Sequence, residues 1–124
     1  MKNNNSKHPN RKISETFLDF SSPLLDALGK GATKQQVEKA LQITYTVWNS
    51  IVLDSVKGGS KYISMVRQAM KDDPESSVLI EQLILRKKTF FENDLRLIGD
   101  YSIKKKRWGD WRLRAEARDP LKSI

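Results

Sequence analysis

The apolar positions of this chain follow two periods, and the switch between them divides it. From Phe17 to Phe91 they recur at steps of three and four, as on one face of an α-helix. From Leu95 to Ala117 they alternate, as on one face of a β-strand. Ser14 is placed to cap the first helix, with Glu15 near its positive end. Phe17, Phe20, Leu24 and Leu28 form its stripe, interrupted by Pro23. Either two short helices meet there, with Ser22 capping the second, or one helix kinks. Gly29-Lys30-Gly31-Ala32-Thr33 lacks both the Walker spacing and the preceding strand of a phosphate loop. It reads as punctuation: Gly29 ends one helix, and the capping box Thr33-x-x-Gln36 opens the next.

Lys34 to about Lys57 is the longest helix. Val37, Leu41, Trp48, Val52 and Val56 form one stripe, and Ala40, Ile43, Val47 and Ile51 a second beside it. A surface helix shows a narrower stripe, so this one is predicted to be central, with Trp48 in the core. Gly58-Gly59 stops it. A shorter helix over 61–71 carries Tyr62, Met65, Val66, Ala69 and Met70. Asp73-Pro74-Glu75 then combines a cap, a first-position proline and a first-turn acid. The helix it opens carries Leu79/Ile80, Leu83/Ile84 and Phe90/Phe91. Arg86, Lys87 and Lys88 sit late in it, where cations suit the negative end of the dipole.

After Asn93 the apolar set is odd-numbered: Leu95, Leu97, Tyr101 and Ile103, then Trp111, Leu113, Ala115 and Ala117. This predicts a hairpin over 95–118 with one buried face. A two-residue turn at Gly109-Asp110 would throw Tyr101 and Ile103 onto the face opposite Leu113. A three-residue connection, 108–110, pairs Arg107 with Trp111, Lys105 with Leu113, Ile103 with Ala115 and Tyr101 with Ala117. The other face then sets Lys106 across from Arg112, Lys104 from Arg114, Ser102 from Glu116 and Asp100 from Arg118. The first two are like-charge pairs, unfavourable by tenths of a kcal/mol each. The fold class that follows is α+β, mainly α: a bundle of about four helices with a C-terminal antiparallel β-hairpin packed on it.

Composition adds boundaries. Leu, Ile, Val and Phe make up about a quarter of the 124 residues, enough for a single compact core. The formal net charge of +8 is uneven. Residues 1–13 are basic, Asn-rich and without acids, and read as a disordered arm ahead of one domain over 14–124. The middle of the chain is close to neutral, and the cationic excess returns after residue 100. The first dozen residues contain no apolar stretch, which argues against a secretory leader and for a cytoplasmic protein without membrane insertion.

With no cysteine and only His8, thiolate chemistry, Cys-based zinc sites and His–His ligation within one chain are excluded. Asp72/Asp73 and Glu92/Asp94 read as caps and solvated charges, and no catalytic or nucleotide motif occurs. No enzyme, cofactor or metal is expected. Two classes of function follow. The first is a non-catalytic module whose helical surface or hairpin docks a protein partner or a second copy, since a lone hairpin has an unpaired edge to offer. The second is a polyanion binder, meaning nucleic acid, using Lys104, Lys106, Arg107, Arg112 and Arg114 on phosphate and Trp108 for stacking. Lysines on an edge strand also serve to discourage aggregation.

Overall fold

The computed structural model describes residues 11–105 and 111–121. The elements run α1 (Ile13–Leu28), α2 (Lys34–Lys57), α3 (Lys61–Ala69), α4 (Pro74–Phe90), β1 (Leu97–Lys105) and β2 (Trp111–Arg118). This is the α+β, mainly α architecture that the periodicity predicts, with the two-stranded hairpin resting on α1 and α2. Residues 1–10 of the basic arm, His8 included, lie outside the described residues. No helix of the described residues is long and apolar enough to cross a membrane.

Helix ends follow local chemistry. The Gln36 N–H donates to the Thr33 hydroxyl at 3.1 Å, and the Thr33 N–H donates to the Gln36 side-chain carbonyl at 2.9 Å. Asp73 accepts from the Ser76 N–H, with Pro74 in the first turn. Gly29 and Gly58 close α1 and α2 at φ of 79° and 77°, where a side chain would be strained. Two ends depart from expectation. Helix α1 starts at Ile13, so Lys12 rather than Ser14 stands at the N-cap, without a side-chain cap. Burial of Ile13 draws the extra residue into the helix. Helix α3 stops at Ala69, and Met65 of its expected stripe is exposed. Its N-terminus is capped from α2, where the Asp54 carboxylate accepts the Tyr62 and Ile63 N–H groups at 2.9 and 3.0 Å.

Pro23 lies inside a single continuous helix. It has no N–H to offer the Asp19 carbonyl one turn earlier. That oxygen accepts instead from the Ser22 hydroxyl at 2.9 Å and from the Arg86 guanidinium at 2.8 Å. Arg86 also donates to the Phe20 carbonyl at 3.2 Å and to the Asp19 carboxylate at 3.3 Å. The backbone defect of α1 is thus the point at which α4 is fastened to it.

Helix α2 is central, as its double stripe predicts. Trp48 is fully buried, with Phe20 and Phe91 edge-on to it at centroid distances of 5.2 and 5.6 Å. Phe17 meets Tyr101 of β1 edge-on at 5.3 Å, joining this aromatic core to the hairpin. Where α1 crosses α2, the buried Ser21 and Thr44 hydroxyls bond each other at 2.8 Å, and Thr44 donates to the Leu41 carbonyl. Neither hydroxyl is left unpaired in the core.

The hairpin keeps odd-with-odd pairing near its tip but not the expected partners. Lys105 stands opposite Trp111, Ile103 opposite Leu113 and Tyr101 opposite Ala115, a register shifted by two residues from the expected one, and residues 106–110 lie outside the described residues. The observed register sets the two larger aliphatics, Ile103 and Leu113, side by side. The expected one sets Leu113 beside the exposed Lys105. Lower down, Gly99 and Asp100 together oppose Glu116, a one-residue bulge that reverses parity. Leu97 and Ile98 are both buried in consequence, whereas Leu95 lies outside β1 and is exposed, as is Ala117. A Cβ on Gly99 would come within 2.7 Å of the Arg118 side chain that crosses it. The cause of the shift lies on α2. The Asn49 carboxamide donates to the Ile98 carbonyl at 2.9 Å and accepts the Ile98 N–H at 2.8 Å. Asn49 therefore fills the place of a neighbouring strand at that edge.

Replacing Arg86 with Met should cost about 2 kcal/mol, the scale of charge-assisted hydrogen bonds to buried carbonyls. In a Pro23→Ala background, residue 23 supplies its own N–H to Asp19, and the same replacement should cost about 1 kcal/mol less. Urea denaturation of the four proteins measures the difference, and equal costs in both backgrounds would refute the link.

Candidate functional site

The hairpin's outer face carries the cations expected of it, in altered positions. Lys104, Arg112 and Arg114 are all exposed on one face, with Lys104 directly opposite Arg112 and Arg114 opposite Ser102. Lys106, Arg107 and Trp108 lie outside the described residues. At the far end of this face Arg118 sits 3.7 Å from Asp100 and 3.6 Å from Glu116, so charge is balanced there. Among the described residues no carboxylate lies within ion-pair distance of Lys104, Arg112 or Arg114. Lys105 is turned aside, its ammonium 5.7 Å from the Trp111 ring centre.

Lys87 corrects a simpler expectation. It is not a solvated helix-end cation but a buried one, 1% exposed. Its position continues the core stripe of Ile80, Leu83 and Ile84 and precedes Phe91 by one turn. That spacing was visible in the sequence, and the lysine's charge obscured it. The ammonium donates to the carbonyls of Phe91 at 2.7 Å and Asp94 at 2.8 Å, and lies 4.4 Å from the Trp48 ring centre. It thus binds the C-cap carbonyl of α4 and a carbonyl of the connection that follows. Burial pushes its pKa down to about 8, against the opposing pull of the Asp94 and Glu92 carboxylates.

Asp94 is likewise no solvated acid. It holds Arg96 in a two-pronged pair at 2.6 and 2.9 Å, with its side chain nearly buried. Arg96 reaches on to the Arg11 carbonyl at 2.6 Å and lies 3.4 Å from the Thr16 hydroxyl, tying the start of α1 to the α4–β1 connection. Lys87 is buried and Asp94 and Arg96 are partly covered, and together they brace the passage from α4 to β1. No group of three or more His, Cys, Asp or Glu residues that could hold a metal ion occurs among the described residues.

The second notable surface is on α4. Its inward face buries Ile80, Leu83, Ile84 and Lys87, while Val78, Leu85 and Phe90 point to solvent at 58%, 66% and 53% exposure. The helix is therefore apolar on both sides, with a lysine inside and a leucine outside. Two shallow hollows flank this outer face and share Gln82 and Leu85 as the ridge between them. The first, of about 340 Å³, lies between α4 and α1, where Pro23, Leu24, Leu79 and Phe90 line it. The second lies beside Val78 and Glu81. Leu79/Ile80 and Phe90/Phe91 are adjacent apolar pairs in the sequence. In each pair the structure buries the second residue more deeply than the first.

Lys87 binds fewer protons in the folded state than in the unfolded chain between its folded pKa of about 8 and the ordinary 10.5. Its contribution to stability therefore rises with pH through that window, by about 3 kcal/mol in full, and is flat below it. The stability difference between the wild-type chain and Lys87→Met should grow from pH 7.5 to pH 10 in urea denaturation. A constant difference would mean that Lys87 titrates normally.

No family model matches this chain, and neither a curated protein nor a solved structure is found that resembles it. The functional reading accordingly rests on the geometry of these surfaces.

Proposed function

We propose that this protein is a non-catalytic interaction module whose docking surface is the outer face of α4 with the adjoining part of α1. The observation that carries the reading is that exposed Leu85 and Phe90 line the hollow at Pro23 and Leu24, and that exposed Val78 lines the adjoining hollow that shares Leu85. Single exposed apolar residues are ordinary, but a continuous patch rimmed by polar groups is the usual sign of a binding surface. Glu81 and Arg86 supply that rim, while Gln82 and Thr89 lie along the patch between and beyond Val78 and Leu85. Leu85 at the crest is the expected anchor, and a charge there would sit in the centre of any complex.

A low-salt pull-down with the full chain, treated with nuclease, should retain a protein partner that Leu85→Glu loses. Urea denaturation should show the variant as stable as wild type to within about 0.5 kcal/mol, since the position is exposed. Capture indifferent to Leu85→Glu would exclude this face.

A second reading draws on Lys104, Arg112 and Arg114: three exposed cations on one face without an acidic partner among the described residues suit a phosphate backbone. Contact would be backbone-led, with little sequence choice. Engagement of three duplex phosphates predicts that log K falls with log[salt] at a slope of about −2.7. Fluorescence anisotropy over a salt series tests it, and a triple alanine variant at these positions that binds equally well would exclude the face.

A further inference from the structure

We infer that the occupant of the α4 face is a second copy of this chain, docked with its own α4 antiparallel; the inference rests on the reading of that face as a docking surface. Val78, Gln82, Leu85 and Thr89 are all exposed and follow one another at spacings of four, three and four. This is the seam by which one helix packs along another. The crest and the hollow belong to the same surface, so Leu85 of each copy faces the hollow beside Pro23, Leu24 and Leu79 of the other. A two-fold arrangement uses both at once, as a self-complementary patch must.

Charge sets the direction. Glu75 and Glu81 lie in the first half of α4, and Arg86 and Lys88 in the second. Antiparallel pairing brings the acidic half of one helix against the basic half of the other. On one flank of the seam it sets Glu81 against Lys88 of the second copy, twice by symmetry. Glu81 is already positioned by the Arg67 guanidinium at 2.7 and 2.9 Å. Lys88 is exposed and makes no ion pair within the described residues. A parallel pair would instead set Glu81 against Arg86, whose guanidinium is occupied by Asp19 and the Phe20 carbonyl. Gln82 within the seam is the kind of polar residue that fixes register between helices.

Sedimentation equilibrium of the full chain up to about 200 μM should show a reversible dimer, a range that detects dissociation constants into the micromolar region. Leu85→Glu should be monomeric throughout, and Lys88→Glu should raise the dissociation constant about tenfold. The chain has no cysteine, so engineered thiols report the geometry cleanly. An equimolar mixture of Gln82→Cys and Leu85→Cys should form the mixed disulfide under mild oxidation, in preference to 82–82 links. A wild-type chain that stays monomeric, a dimer that survives Leu85→Glu, or dominant 82–82 links would each overturn the inference. A monomeric chain that still captures another protein in a Leu85-dependent way would overturn the second copy alone and leave the docking face standing.

Discussion

The structure depends on how the chain passes from the end of α4 into β1. That passage runs beside Trp48, and side chains meet its carbonyls at Phe91, Asp94 and Arg96 and both backbone groups of Ile98. The partners come from α4 and α2. Lys87 takes the Phe91 and Asp94 carbonyls, Trp48 donates to the Arg96 carbonyl at 2.7 Å, and Asn49 holds both backbone groups of Ile98. Arg96 then fastens the passage to the first turn of α1. A buried ammonium is costly to desolvate. It is tolerated here because two carbonyls and an indole face surround it, and because removing it would orphan those carbonyls.

This one constraint explains two irregularities. The bulge at Gly99 and Asp100 appears where Asn49 pins Ile98, since a strand gripped from its outer edge cannot keep a simple alternation and also bury Tyr101 and Ile103. The outward greasiness of α4 has a related origin. Its inward face is given partly to a lysine that ends the helix and to an arginine that repairs α1, which leaves Val78 and Leu85 unburied by the rest of the chain. Two long cations thus perform internal work, while two aliphatic side chains form a surface.

Much of the architecture was legible because it is written in short-range chemistry. The capping box at Thr33 and Gln36, the Asp73-Pro74 start, the glycine stops and the double stripe of α2 all follow from neighbours within four residues. The basic face of the hairpin was legible for the same reason: parity alone sends Lys104, Arg112 and Arg114 outward. The register was not, because it turns on whether Leu113 or Ala115 shares a cross-strand site with Ile103, a matter of volume against the underlying helices. Lys87 and Asp94 were misjudged because a charged residue in a single sequence carries no sign of whether a distant element will surround it.

The sequence by itself determined most helix ends, which helix is central, where the period changes to that of strands, and which reactive groups the chain lacks. Those properties arise from backbone propensity, local hydrogen bonding and composition. Only the tertiary structure decided which of two adjacent apolar residues faces inward, how Pro23 is accommodated, why Ile98 rather than Leu95 enters the core, and that α4 turns Val78, Leu85 and Phe90 outward. Each of these depends on partners many residues apart, such as Arg86 with Asp19 or Asn49 with Ile98, brought together when the core excludes water.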